Sequence, residues 1–283
     1  MDLSTLGVED RASVEKDAVL RRGDKGQAVL ELQQLLIKAG YGLKPDGDFG
    51  GDTEKFVRAV QSKNNLVADG IAGPKTLKIL KGCCPISLKL LSHADIVWAA
   101  TTLKTDVASV LCVNEVESRG HGFLDNGKPV ILFERHIMYR MLDEHDINPA
   151  PYMKDQPGLV NTKPGGYIGG AREHERLDKA KLINKAAALE SASWGAYQIM
   201  GFHWQTLGYA SINDFVERME CSERKQLEAF VAFIQSQRGL LKAIQTQDWV
   251  TFARLYNGKN YAVNQYDTKL AAAYKRAKAL ALL

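Results

Sequence analysis

Apolar residues recur at helical spacing through most of the chain, broken by short polar turns, and this pattern predicts a mainly α protein. After a polar stretch over 1–18, Val29, Leu32, Leu35 and Leu36 mark a first helix that ends near Gly40. Phe56, Val57 and Val60 mark a second helix, and Leu77 and Leu80 a third. The run Lys81-Gly82-Cys83-Cys84-Pro85 closes this segment, since proline cannot continue a helix. Longer helical segments follow over 93–103, 106–117, 136–142, from Glu173, and over 183–189. The C-terminal third adds 214–219, 225–237, 240–244, 248–255 and 270–282. Between 125 and 170 prolines and glycines crowd the chain, and Val130-Ile131-Leu132-Phe133 reads as a short strand or a buried turn. The expected organisation is a lead-in (1–18), a small three-helix domain (19–82), a linker (83–91) and a larger α-rich domain (92–283).

The small domain contains a duplication. Asp46, Gly47, Gly50 and Thr53 recur as Asp69, Gly70, Gly73 and Thr76 with a constant offset of 23 residues. In each copy Asp and Gly set a turn. The second glycine is expected to take an unusual backbone angle, and the threonine to cap the next helix.

The apolar run from Val107 to Val113 opens at Asp106, a helix-capping residue, and closes on Asn114-Glu115-Val116-Glu117-Ser118-Arg119-Gly120. At a period of 3.6, Glu117 extends the face of Val110, Val113 and Asn114, while Glu115 shares its face with Leu111 and Ala108, so periodicity does not choose between them. A carboxyl at the C-terminal end of a buried helix meets low dielectric and the negative end of the helix dipole, and both raise its pKa. That is the property a general acid for glycosidic cleavage requires. The other reading is a charged residue at a helix end. Two further stretches carry chemistry: the run from Glu190 to Trp204, rich in aromatics and amides suited to sugars, and Tyr256-Asn257-Gly258.

The formal net charge of +4 favours an anionic partner but is too small to imply nucleic-acid binding. The chain shows no bilayer-spanning apolar stretch and no basic-then-apolar start, so membrane insertion and a signal peptide are not expected. Cys83, Cys84, Cys112 and Cys221 form no CxxC pair and are expected to be reduced, Cys112 as a core residue. None of the six histidines stands in an HExxH pattern: His174-Glu175 lacks the second His, which argues against a zinc peptidase. The glycine-rich run 165–170 lacks the lysine of a nucleotide loop. No metal and no cofactor are expected.

Two resemblances cover most of the chain. Leu20 to Leu80 resembles the type 1 peptidoglycan-binding domain, on Arg21, Gly23, Gly26, Val29, Leu32, Gln33 and Leu36, the Gly40-Tyr41 end, both repeated loops and Gln61. It departs at Val60, where an aromatic is common, and at Asn65, where glycine is usual and Asn tolerates the same left-handed backbone. Residues 92–283 resemble the N-acetylmuramidases of the goose-type lysozyme and lytic transglycosylase superfamily. The signatures are Val116-Glu117-Ser118, Ile131 to His136, Gly165 to Gly170, Ser191 to Gly195, Gln198 to Gly201, Tyr256-Asn257-Gly258 and Tyr266 to Ala271. The pairing looks like a modular phage endolysin of a Gram-negative host.

The resemblance implies a lysozyme-like fold and a muramidase acting on peptidoglycan as a monomer. It implies Glu117, not Glu115, as the catalytic acid, and Ser193, Tyr197, Gln198, Tyr256 and Asn257 as residues of the sugar cleft. Glu134 and His136 join them as supporting candidates. It also implies synthesis in the host cytoplasm and release through a separate pore. A second carboxylate, at about 5 Å for retention or about 6.5–9.5 Å for inversion, would be Asp125, Glu134 or Glu190. With no such partner, assistance from the substrate acetamido group would give an anhydro product. The remaining alternative is a wall-binding structural protein with an inert second domain. For an enzyme, the first domain should raise the local concentration at the wall, so removing residues 1–82 should weaken lysis without abolishing it.

Overall fold

A computed structural model describes residues 19–81, 89–118 and 121–280. The lead-in 1–18, most of the expected linker with Cys83 and Cys84, and Arg119-Gly120 lie outside the described residues.

The small domain packs α1 (Gln27–Lys38), α2 (Gly51–Lys63) and α3 (Pro74–Leu80) around Val29, Leu32, Leu36, Phe49, Val57, Val60 and Ala72. Helix α1 ends as its sequence predicts: Gly40 is left-handed (φ 95°) and the Tyr41 amide donates to the Leu36 carbonyl. Asn65 also takes a left-handed backbone (φ 54°). The duplicated loops work differently from the expectation. The first glycines, Gly47 and Gly70, carry the positive φ (72° and 75°), and Gly50 and Gly73 are extended N-caps. Thr53 and Thr76 cap nothing; their hydroxyls face inward to buried glutamines. Gln33 Nε2 donates to Asp46 Oδ1 (2.9 Å), the Asp48 carbonyl (3.0 Å) and Thr53 Oγ1 (3.1 Å), and its Oε1 accepts from the Gly47 amide. Gln61 repeats the set on Asp69, Ile71, Thr76 and Gly70. A polar side chain can be buried here because every group finds a partner.

The larger domain begins with α4 (His93–Leu103) and α5 (Val107–Glu117). Asp106 caps α5 through the Ser109 amide (2.7 Å) and accepts the Tyr274 hydroxyl from α14 (Tyr266–Leu280) at 2.8 Å, so α5 lies along the C-terminal helix. Val130–Phe133 resolves as strand β1 (Ile131–Phe133), leading into α6 (Arg135–Glu144). β1 pairs antiparallel with β2 (Ala192–Trp194), and β2 with β3 (Ile199–Met200). The last two strands lie inside the aromatic-rich run, where burial on both faces erases the alternation that marks a strand. Helix α7 (Ala150–Asp155) forms in the proline-rich middle, its proline at the first turn where a missing N–H costs nothing. Helices α8 (Arg172–Lys181) and α9 (Lys185–Glu190) follow. After the sheet come α10 (Ile212–Cys221), α11 (Glu223–Ser236), α12 (Arg238–Thr246) and α13 (Trp249–Asn257).

No single helix among the described residues is long and apolar enough to cross a membrane. Helices α4 and α5 together have that length and composition, but they break by 114° and bury most of their apolar residues in the domain core. Cys112 is one of these, and burial pushes its thiol pKa up, out of the range of a nucleophile.

The two domains dock. Val67 of the small domain joins the larger core. Lys75 and Lys78 of α3 pair with Glu223 and Asp125, and Arg21 pairs with Glu115. A cavity of about 160 Å³ remains at the junction, lined by Arg21, Glu54, Asp69, Leu111, Glu115 and Arg276.

Candidate active site

Helix α5 places Glu115 and Glu117 in different surroundings. Glu115 points at the small domain, between Arg21 and Arg276 (2.6 Å from the latter), and is occupied as an inter-domain anchor. Glu117, the last residue of α5, is half-buried and accepts from Asn257 Nδ2 at 3.0 Å. Asn257 is in turn the last residue of α13, stopped by Gly258 at φ 79°. Two helix C-termini therefore meet, placing a carboxyl and an amide side by side.

Three segments distant in sequence converge there. The Tyr256 hydroxyl donates to the Tyr197 carbonyl (2.8 Å), and the Tyr197 hydroxyl to Asn114 Oδ1 (2.8 Å), one turn before Glu117. Tyr197 stacks on Phe230 at 4.6 Å between centroids, and Tyr256 on Phe252 at 5.6 Å. Both tyrosines are buried, so they fix α5, the β2–β3 turn and α13 together from behind. Gln198 tips that turn with a left-handed backbone (φ 51°). Its Oε1 accepts from Ser193 Oγ (2.8 Å) and its Nε2 donates to the Gly195 carbonyl (2.9 Å), which relates Ser193 to the same turn. A non-glycine residue held at positive φ is the kind of backbone feature that persists where the surroundings over-determine it.

Glu134 and His136 flank the end of β1. Glu134 is buried, its Oε2 accepting from the Tyr167 hydroxyl (2.7 Å) beside His136 Nδ1 (3.2 Å). Its Oε1 has no hydrogen-bond partner among the described residues. The glycine-rich run that brings Tyr167 there is tied down by two charged residues. Arg135 donates to the Lys163 and Pro164 carbonyls at 2.9 Å. Fully buried Glu173 accepts the Ile168, Gly169 and Phe133 amides and pairs with Arg176 at 2.8 Å. The run is thus a positioning loop for Tyr167.

The other two carboxylates face elsewhere. Asp125 is highly exposed, and the hydrogen bond and charge of Lys78 hold its carboxyl below the usual range. Glu190 is buried between His145 Nε2 (2.6 Å) and Trp204 Nε1 (2.8 Å).

Two residues with no sequence signal hold the site's backbone. Glu223 Oε1 accepts the Gly122 amide just beyond Glu117 (2.9 Å). Gln226 donates to the Gly122 carbonyl (3.1 Å) and accepts from the Ala196 amide in the β2–β3 turn (2.8 Å). A Cβ on Gly122 would lie 2.6 Å from Glu223 Cγ, and one on Gly195 2.7 Å from Gln226 Cγ, so both glycines serve close approach.

Comparison with known proteins follows this geometry. Residues 106–278 match the N-acetylmuramidase family and residues 25–80 the putative peptidoglycan-binding domain family. The fold superposes on the crystal structure of a Burkholderia AP3 phage endolysin with a TM-score of 0.87 at 49% identity, covering 93% of this chain and 99% of that one. An N-acetylmuramoyl-L-alanine amidase, CwlL of Bacillus licheniformis, is 35% identical over 79 residues, 27% of this chain and 22% of that protein. A spore cortex-lytic enzyme of Bacillus cereus is 44% identical over 63 residues, 22% of this chain and 24% of that protein. The chain thus spans under a quarter of the length of these two relatives. The family match over residues 106–278 spans more than half of the sequence, from the cap of α5 into α14 and through every segment that meets at Glu117; the chain belongs to the N-acetylmuramidase family.

Proposed function

We propose that this protein is an endolysin that hydrolyses the β-1,4 bond between N-acetylmuramic acid and N-acetylglucosamine in peptidoglycan, with Glu117 as the general acid. The observation that carries the reading is the Asn257–Glu117 hydrogen bond at the meeting of α5 and α13. The hydrogen bond fixes one oxygen of the carboxyl where the two helix ends meet. The acid gives its proton to the glycosidic oxygen as the C–O bond breaks, and Asn257 keeps it aimed. Gln198, half-buried at the β2–β3 turn, offers its amide to the sugar acetamido substituents, and Ser193, buried in β2 rather than open to the sugar, orients it. Glu134, with one oxygen that has no hydrogen-bond partner among the described residues, is the best placed of the three remaining carboxylates to assist charge development or water, and His136 and Tyr167 orient it. The first domain holds the wall, a single copy of the chain suffices, and the lytic step follows release from the host cytoplasm.

A second reading, transglycosylation to anhydro-muropeptides, is supported by the ion pairs that occupy Asp125 and Glu190. Mass spectrometry of fragments released from purified peptidoglycan separates the two. Reducing N-acetylmuramic ends with wild type, and none with Glu117→Gln, are expected. Anhydro ends would select the second reading, and equal release by the variant would remove Glu117 from the mechanism.

A further inference from the structure

The inter-domain contact reaches into the active site. Glu223, at the first turn of α11, is almost fully buried, with 3% of its side chain exposed, and carries four hydrogen bonds. Two come from a single ammonium group of the small domain, Lys75 Nζ, at 2.6 Å to each oxygen. The others come from the Leu91 amide (2.8 Å), where the chain enters the larger domain, and from the Gly122 amide (2.9 Å), just after Glu117. The Glu223 amide also donates to the Lys89 carbonyl (2.8 Å). Gln226, one turn on, takes hold of Gly122 from its carbonyl side.

A buried carboxylate keeps its charge only where a cation and enough donors replace water. In this protein the cation comes from the other domain. We propose that Lys75 is a positioning residue for the reaction: by compensating Glu223 it lets that carboxylate hold Gly122, and so the end of α5 that presents Glu117. The wall-binding domain then completes the catalytic domain as well as delivering it. Loss of Lys75 leaves Glu223 buried with two amides and, among the described residues, no paired cation. The carboxylate draws toward water, the Gly122 hydrogen bond loosens, and Gly122 loses its hold from the Glu223 side. On this proposal substrate capture by the first domain uses other surfaces, so that turnover and wall binding separate.

The inference rests on the muramidase reading for its kinetic arm and on amide exchange for the other. In the full chain, Lys75→Met is expected to lower kcat on purified peptidoglycan about tenfold with KM changed less than about twofold. Lys75→Arg keeps the cation and is expected to retain activity. Sedimentation with walls, measured in a Glu117→Gln background, is expected to be unchanged by Lys75→Met. Hydrogen exchange at the Gly122 amide is expected to quicken about tenfold in Lys75→Met while α13 amides keep their protection. Unchanged exchange at Gly122, a loss confined to KM and wall binding, or a uniform loss of protection across the larger domain would each overturn the proposal. If wild type released no muropeptides, the muramidase reading would fail while exchange at Gly122 still decided the role of Lys75.

Discussion

In the small domain two buried glutamines each organise one local loop: Gln33 binds Asp46, Gly47 and Thr53, and Gln61 binds Asp69, Gly70 and Thr76. In the larger domain Gln226 and Glu223 join segments far apart in the chain, with |i−j| of 104 for Gln226 to Gly122 and 148 for Lys75 to Glu223. The same chemistry, a buried polar side chain answered by backbone groups, serves opposite ends. Local use makes a repeatable module that a short stretch of sequence can encode. Long-range use makes a site, because chemistry needs groups from several elements held at fixed separation.

That contrast can be tested by substitution. Glu117→Gln is expected to cost about 10²–10⁴-fold in kcat, the usual range for a general acid, with little change in the unfolding temperature. Glu115→Gln on the same helix should do the reverse, sparing turnover and weakening the Arg21 and Arg276 ion pairs while the Lys75–Glu223 contact stays; loss of turnover with Glu115→Gln instead would erase the division of labour along α5. Gly122→Ala places a methyl against Glu223 and Gln226 and should destabilise the larger domain by about 3 kcal/mol, read by denaturant unfolding. Gln61→Ala should cost the small domain about 2 kcal/mol through unsatisfied Gly70 and Asp69 groups, without altering Glu117 chemistry.

The smallest effect is in pH, and it has opposite sign in the two domains. Burial pushes Asp69 up to about 6, with Glu115 adding to the shift, so the folded small domain binds a proton that the unfolded chain releases at its ordinary value of 3.8. Its stability is greatest below that value and is lost as pH rises to about 6. Asp69→Asn, which keeps the Oδ1 acceptor, should therefore gain about 1–2 kcal/mol at pH 7 and nothing at pH 4. Burial holds His203 down at about 4, packed against Phe202 and Phe233 with Arg140 nearby. The larger domain is accordingly most stable above 6.5 and loses that contribution as pH falls toward 4. Calorimetry resolving two transitions would show them moving in opposite directions between pH 4 and pH 6; parallel movement would refute the assignment.

How much of this was legible in the sequence follows the same division. The repeat, the Gly40 end of α1 and the Asp106 cap are local devices, and the pattern predicts them directly; the left-handed Asn65 follows from the resemblance, which has glycine there. The roles of the loop threonines were misread, because only the fold shows that Gln33 and Gln61 lie beneath them. The choice between Glu115 and Glu117 could not be made from periodicity: Arg21, Arg276 and Asn257 separate them, and all three are distant in sequence. Strands β2 and β3 are buried on both faces and leave no alternation. Glu223 and Gln226 read as ordinary polar residues at a helix start, and no spacing marks them.

The packing of α5 along α14 has a consequence for synthesis. The helix that ends in Glu117 is completed by residues around Arg276, which is 161 positions beyond its partner Glu115. On the ribosome, everything up to α13 can emerge while α5 still lacks the wall it leans on. A chain cut before α14 would carry each residue of the proposed site, with α5 left without the helix it packs along. Assembly of the Glu117 end of α5 therefore waits on α14, in whatever order the helices between them form.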